Sequence, residues 1–292
     1  MPDRPILRGR RRFAALQLTC LLLAGGSSWP VISLDPDHQL ADVLAAIDRH
    51  ADFYRDIALK FSCDETIEFA APGRWDRTLN LEYIYVYDGD RLADYRTRRR
   101  GHGEKPVDLV QPENHGLPFF LSRAYSWVFI FERAKRDMYR YQHMGEDSAL
   151  GRDAIVISFE PIPPIREDLN DWVGRAWIDP GSHRILRIEA LKSHDHDQKT
   201  AFEAALRSTT EDRGIRKFTF TTITTQFTVE EKGILLPGEV TATKTLYSVF
   251  PVGAKIHFKE DRLFRVTQTY ENYRFFGVET QDVFRAVIPQ NR

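Results

Sequence analysis

The chain has 292 residues, 42% of them hydrophobic and 28% charged, with a formal net charge of −1. That length suffices for one large β-domain or two small ones. The near-neutral balance provides no global field to recruit nucleic acid and argues against that partner.

Residues 1–28 read as an export signal. Arg8, Arg10, Arg11 and Arg12 form a basic head, Phe13 to Ala24 a mostly apolar run, and Gly25-Gly26-Ser27-Ser28 a small-residue cleavage region. The run falls short of the ~20 apolar residues a bilayer span needs, so no transmembrane span is expected in the mature chain. An uncut N-terminal anchor is the alternative. Arg10-Arg11-Arg12-Phe13 partly matches a twin-arginine pattern, but Ala14 and Ala15 weaken it and favour the general secretory route. Removing the leader takes away five arginines and one aspartate, leaving a charge of about −5. Cys20 leaves with the leader, since Gln17-Leu18-Thr19 fits a lipoprotein cleavage box poorly. Cys63 is then the only cysteine, no internal disulfide can form, and stability must come from the core. Residues 29–292 are read as one domain.

Asp37 to Lys60 predicts an amphipathic helix. Leu40, Val43, Leu44, Ile47, Ala51 and Tyr54 follow three- and four-residue spacing, with Asp42, Asp48, Arg49 and Asp52 on the other face. From Phe61 the period changes to two, putting Phe61, Cys63, Glu65, Ile67 and Phe69 on one side of a strand. Leu81 to Tyr87 and Arg91 to Arg96 are strands around Asp88-Gly89-Asp90, a strong hairpin signal. Arg96 to Gln111 is charged and reads as a loop. Gly116 to Phe131 crowds together Phe119, Phe120, Tyr125, Trp127, Phe129 and Phe131, and reads as a short helix near 118–124 leading into a strand.

Met138 to Met144 and Ala154 to Glu160 form a further antiparallel pair, which Pro161, Pro163 and Pro164 end. Trp172 to Glu189 is the clearest hairpin. Trp172, Gly174, Ala176 and Ile178 share one face, Leu186 and Ile188 alternate with Arg187 and Glu189, and Asp179-Pro180-Gly181-Ser182 carries turn chemistry, with Gly181 free to take positive φ. Ser193 to Gly214 is a polar connection with a short helix over Thr200 to Arg207. Phe218 to Val229, Leu236 to Val249 and Ile256 to Tyr270 are three more strands, the first rich in β-branched threonine. The sum is an α+β, mainly β fold: one large, curved antiparallel sheet with a leading helix.

No residue announces a catalyst. Cys63 lies mid-strand beside Asp64 and Glu65, which raise a thiol pKa, so it reads as a small buried hydrophobe rather than a nucleophile. His194 and His196 would share a side of an extended strand and so resemble a zinc or copper pair, but no third ligand is spaced with them; a solvated loop is the simpler reading. Arg96, Arg98, Arg99, Arg100 and Lys105 could touch lipid headgroups or an acidic partner, diluted by Asp94, Glu104 and Asp108. Glu160, Glu167, Asp168 and Asp171 could supply paired carboxylates for hydrolysis, with nothing to fix their separation. There is no phosphate-binding glycine loop, zinc-protease helix or serine elbow. No metal and no cofactor is expected.

A sheet too wide to stay flat curls, and its concave face must be filled by side chains, a plugging helix or an apolar ligand. The leading helix, Phe61 to Phe69, the Asp88-Gly89 hairpin, and Gly174-Arg175-Ala176-Trp177-Ile178-Asp179-Pro180 followed by Ile185-Leu186-Arg187-Ile188 resemble the LolA/LolB-like superfamily of periplasmic lipoprotein and lipid carriers. The resemblance spans roughly residues 37 to 275 by element order. It implies an unclosed β-barrel with helices plugging its mouth, a periplasmic or secreted location, and a monomer. It also implies an exported, non-catalytic carrier or sensor of an acyl chain or other apolar ligand, acylated lipoproteins among them. Phe119, Phe120, Tyr125 and Trp127 are the expected lining or lid. An envelope scaffold with a packed core and a carboxylate-dependent hydrolase are the alternatives.

Overall fold

Three- and four-residue apolar spacing followed by two-residue alternation yields a helix laid on a sheet. The computed structural model describes residues 36–58, 60–74, 76–88, 91–98, 117, 121, 124–167, 170–208, 214–252 and 255–276. Residues 1–28, read above as an export signal, lie outside them, as do Phe119 and Phe120. Helix α1 covers Pro36–Ala58. The strands are β1 (Lys60–Ala70), β2 (Arg77–Asp88), β3 (Arg91–Arg98), β4 (Tyr139–Ala149), β5 (Arg152–Pro161), β6 (Trp172–Ile178), β7 (Ile185–Lys192), β8 (Arg216–Glu231), β9 (Ile234–Val252) and β10 (Lys255–Phe275). Two 3₁₀ helices, η1 (Ala124–Phe131) and η2 (Arg133–Met138), precede β4, and helix α2 (Ser193–Arg207) follows β7.

All ten strands form one sheet in the order β3-β2-β1-β10-β9-β8-β7-β6-β5-β4. Every pairing is antiparallel, and β3 and β4 are the two edges, so the sheet is an unclosed one. Its curvature follows from what η1 touches. The Tyr125 ring lies 5.3 Å from Tyr85 of β2, and the Phe131 ring 5.5 Å from Phe159 of β5. Those strands stand seven steps apart, ~34 Å in a flat sheet, whereas six residues of 3₁₀ helix rise only ~12 Å. The sheet therefore wraps round η1.

Register sorts the side chains between faces. Phe61, Cys63, Glu65, Ile67 and Phe69 of β1 are all buried on the inner face, as alternation predicts. Asp88 pairs with Arg91 across β2 and β3, while Gly89 and Asp90 lie outside the described residues. Gly174 on β6 pairs with Ala190 of β7, where a Cβ would overlap the Glu189 carbonyl oxygen, so only glycine permits this approach. Against the expectation for Gly181, it is His183 that takes positive φ, at 55°. The Asp179 carboxylate accepts from the backbone N–H groups of Gly181 and Ser182 at 3.1 and 2.6 Å, and the His183 N–H donates to the Asp179 carbonyl at 2.8 Å, so the turn closes at His183.

Three further expectations are corrected. The aromatic stretch up to Phe131 is a 3₁₀ helix rather than a strand, because seven of its eight residues are buried and no polar alternation offers an outer face to a sheet. The helix after β7 starts at Ser193, not Thr200, and takes up His194-Asp195-His196. Only Phe202 and Ala205 of that helix are buried, so a weak apolar stripe hid its first turns. Finally, Arg96 lies in strand β3, as the strand over Arg91 to Arg96 implies, but it is buried rather than the start of a solvated basic run.

Candidate functional site

Helix α1 and η1 lie on the inner face of the sheet, and the side chains meeting there are mainly aromatic. Phe61 is ringed by Tyr85 at 5.3 Å, Tyr125 at 5.4 Å and Tyr273 at 5.2 Å. Tyr125 also meets Tyr54 of α1 at 5.3 Å and Phe129 at 6.0 Å. Trp127 packs on Trp172 at 5.0 Å. Of the four residues expected to line the site, Tyr125 and Trp127 thus lie on the inner face, themselves buried; Phe119 and Phe120 are not among the described residues.

Hydroxyls fasten this layer at separate points. Tyr125 Oη donates to the Tyr54 carbonyl at 3.0 Å, Tyr141 Oη to that of Ile130 at 2.6 Å, and Tyr54 Oη to that of Leu235 on β9. Arg55 of α1 pairs with Glu132 just after η1. The Arg133 N–H donates to Asp48 at 2.7 Å, and Arg136 Nη2 to the Leu44 carbonyl at 3.0 Å. Burial pushes the Tyr54 and Tyr125 hydroxyls well above the usual phenol range, so both remain protonated donors.

The leading end of η1 is tied differently. Arg96 of β3 and Glu65 of β1 form a bidentate ion pair, Nε to Oε2 at 2.6 Å and Nη2 to Oε1 at 3.0 Å. Their side chains are 4% and 0% exposed, so water does not screen the pair. Arg96 Nη2 also donates to the Leu121 carbonyl at 3.2 Å, and the Leu121 N–H donates to Gln268 Oε1 of β10 at 2.7 Å. Gln268 Nε2 returns to Glu65 Oε1 at 2.9 Å and to Tyr270 Oη at 3.0 Å. The Arg96 guanidinium stacks over the Tyr83 ring at 4.9 Å. Burial pushes the Arg96 pKa down; attraction to Glu65 outweighs it and holds the pKa above the ordinary arginine value. Glu65 and Gln268 are not singled out by the sequence, and Arg96 is marked there only as part of a basic run. The available signal was Glu65 itself, a carboxylate in the apolar register of β1.

The remaining candidates behave as framework. Burial raises the Cys63 thiol pKa, and Glu65 adds to the effect, so it is no thiolate nucleophile. His194 and His196 sit two apart on α2, a spacing that points them to different sides of a helix. Among the described residues no group of three His, Cys, Asp or Glu side chains is placed to hold a metal ion. Glu160 faces Arg140 at 3.9 Å, while Asp171 pairs with Lys192 at 3.1 Å and accepts from the Ser193 N–H at 3.2 Å. Glu167 is exposed, and Asp168 lies outside the described residues. No helix among the described residues is long and apolar enough to cross a membrane.

No family model matches the chain, and no curated protein does. Among solved structures the chain is similar to a DUF1329 family protein from Desulfovibrio piger, at 14% identity and a TM-score of 0.41 over 82% of this chain and 93% of that one. It is also similar to an outer membrane lipoprotein-sorting protein domain from Vibrio parahaemolyticus, at 12% identity and a TM-score of 0.43 over 87% and 99%. A LolA superfamily protein from Nitrosomonas europaea matches at 10% identity and a TM-score of 0.36 over 82% and 94%. The resemblance to LolA-like proteins is distant, and overlap of this quality identifies no ligand.

Proposed function

We propose that this chain is an exported, non-catalytic carrier or sensor that shelters an acyl chain, or a ligand of similar apolarity, against the inner face of its curved sheet. The leader-like residues 1–28 and the envelope location belong to this proposal, as do the lining residues Phe119, Phe120, Tyr125 and Trp127. The observation that carries it is η1. An eight-residue 3₁₀ run is longer than that geometry ordinarily sustains, and η1 buries seven of its eight side chains while joining no strand ladder. It is a cover fastened at points rather than woven into the sheet.

Magnitudes limit how the cover yields. A sixteen-carbon chain leaving water gains ~12 kcal/mol gross. Each aromatic side chain of η1 removes ~150–250 Å² from water, or about 4–6 kcal/mol at the same coefficient. One acyl chain therefore offsets the displacement of two or three rings, not of the entire segment. The ligand enters beside η1 and turns Tyr125 and Trp127 from filler into lining.

A second reading, a scaffold with a packed core, is favoured by one observation: Phe61, Tyr85 and Phe131 are each 0% exposed, filled by the chain's own side chains. Organic extraction of the purified protein followed by mass spectrometry separates the two. The carrier reading expects a co-purifying acyl-chain compound near one per protein. An empty extract, together with no uptake of an added long-chain fatty acid, would leave the scaffold.

A further inference from the structure

The three most exposed large hydrophobic side chains among the described residues gather at one end of the sheet, away from η1. They are Ile215 at 68%, Val252 at 54% and Phe258 at 52%. By register Ile215 and Val252 share one face of the β9–β10 hairpin, while Phe258 lies on the other, beside α2. β1 pairs with β10 only from Arg265 onward, so residues 255–264 pair with β9 alone and project as a finger. β8 supports its other side as far as Arg216, which pairs with Val249. Val249 in turn pairs with Phe258, and Val252 with Lys255. Ile215, the residue before Arg216, therefore lies beside Phe250 by register.

Charge at this end differs from that of the chain. Within residues 216–217 and 255–262, the basic Arg216, Lys217, Lys255, Lys259 and Arg262 outnumber the carboxylates Glu260 and Asp261, in a protein of net charge −1. Lys259 pairs with Asp261 at 2.8 Å, and Arg216 is engaged with the Ala205 carbonyl and Ser208 Oγ at 3.1 and 2.8 Å. By register Lys217, Lys255, His257 and Lys259 fall on the same side as Phe250 and Val252. Exposed aliphatic tips, Ile215 and Val252, ringed by lysine are unlike a protein interface, whose core is depleted in lysine. They match an anionic bilayer, where apolar tips enter the headgroup boundary and ammonium groups snorkel to phosphate.

We infer that the β9–β10 finger, with Ile215 of β8 beside it, is a peripheral docking tip for an anionic phospholipid surface. The tip stands apart from the interior: a chain with a solid core would still dock, and a chain that fails to dock could still carry.

The test is co-sedimentation of the full chain with vesicles. Phosphatidylglycerol-rich vesicles are expected to pull the protein down and pure phosphatidylcholine vesicles are not, with release as salt is raised. The double substitution Ile215→Ser with Val252→Ser, and separately Lys255→Glu with Lys259→Glu, should each weaken binding by about tenfold or more. These side chains are exposed, so circular dichroism should remain that of the parent, and the two sets check each other if one misfolds. Phe258 is left intact because its ring supports Phe202 of α2 at 5.7 Å. Binding indifferent to lipid charge, binding unchanged by both substitution sets, or no binding would overturn the inference. So would a concentration-dependent dimer that the serine variant abolishes, since the tip would then be a contact between copies.

Discussion

At the scale of single residues, the buried Arg96–Glu65 pair is the strongest commitment in the interior. Removing one member leaves an uncompensated charge in low dielectric, which destabilises by ~3–5 kcal/mol. Arg96→Met should therefore lower the urea midpoint sharply, and adding Glu65→Leu should recover much of the loss; equal loss in the single and double variants would contradict this account. Asp179 predicts a pH effect. The Ser182 N–H, then the Ser182 hydroxyl and the Gly181 N–H, lower its carboxyl pKa against a smaller opposing burial effect. A depressed carboxyl stabilises fully above its unfolded pKa and ceases to do so as pH falls through the lowered folded value. Asp179→Asn should thus lower the melting temperature at neutral pH and flatten the acid limb of the stability curve, both readable by calorimetry. Much of this was visible before folding. The turn chemistry of Asp179 and the inward register of Glu65 can both be read along the chain, whereas Arg96 and Gln268 lie 31 and 203 residues from Glu65, and only strand order unites them.

At the scale of elements, β1 and the β6–β7 hairpin were legible because one buried face imposes alternation. Gly174→Ala tests that hairpin: its Cβ would meet the Glu189 carbonyl, a backbone atom that cannot rotate away. The expected outcome is a lowered melting temperature with slippage of β6 against β7, seen as faster amide exchange in both strands; unchanged exchange would contradict the close approach. Two elements could not be read correctly. η1 has almost no polar residue to mark a face, so neither period stands out in Ala124–Phe131. α2 failed for the opposite reason. Its N-terminal half is polar throughout, and it leans on the outer face mainly through Phe202, whose ring meets Tyr247 at 4.5 Å and Phe218 at 6.0 Å.

At the scale of the whole sheet, ten antiparallel strands that, among the described residues, do not close on themselves leave a concave face that something must fill. Here α1 and η1 fill it, through tyrosine hydroxyls, a few ion pairs and the Leu121 tether. The edges and the finger add a second consequence of the same topology, since strands as long as β9 and β10 outrun their neighbours and expose their ends. The central claim is that η1 is a cover that yields at two or three of its rings to admit a ligand beside it. It is tested most directly by hydrogen exchange of the purified protein with and without a saturating long-chain fatty acid. The account predicts faster exchange confined to residues 121–131 on loading, with β7, β8 and β9 unchanged. Exchange that is identical in the two states, or slowed evenly across the sheet, would contradict it.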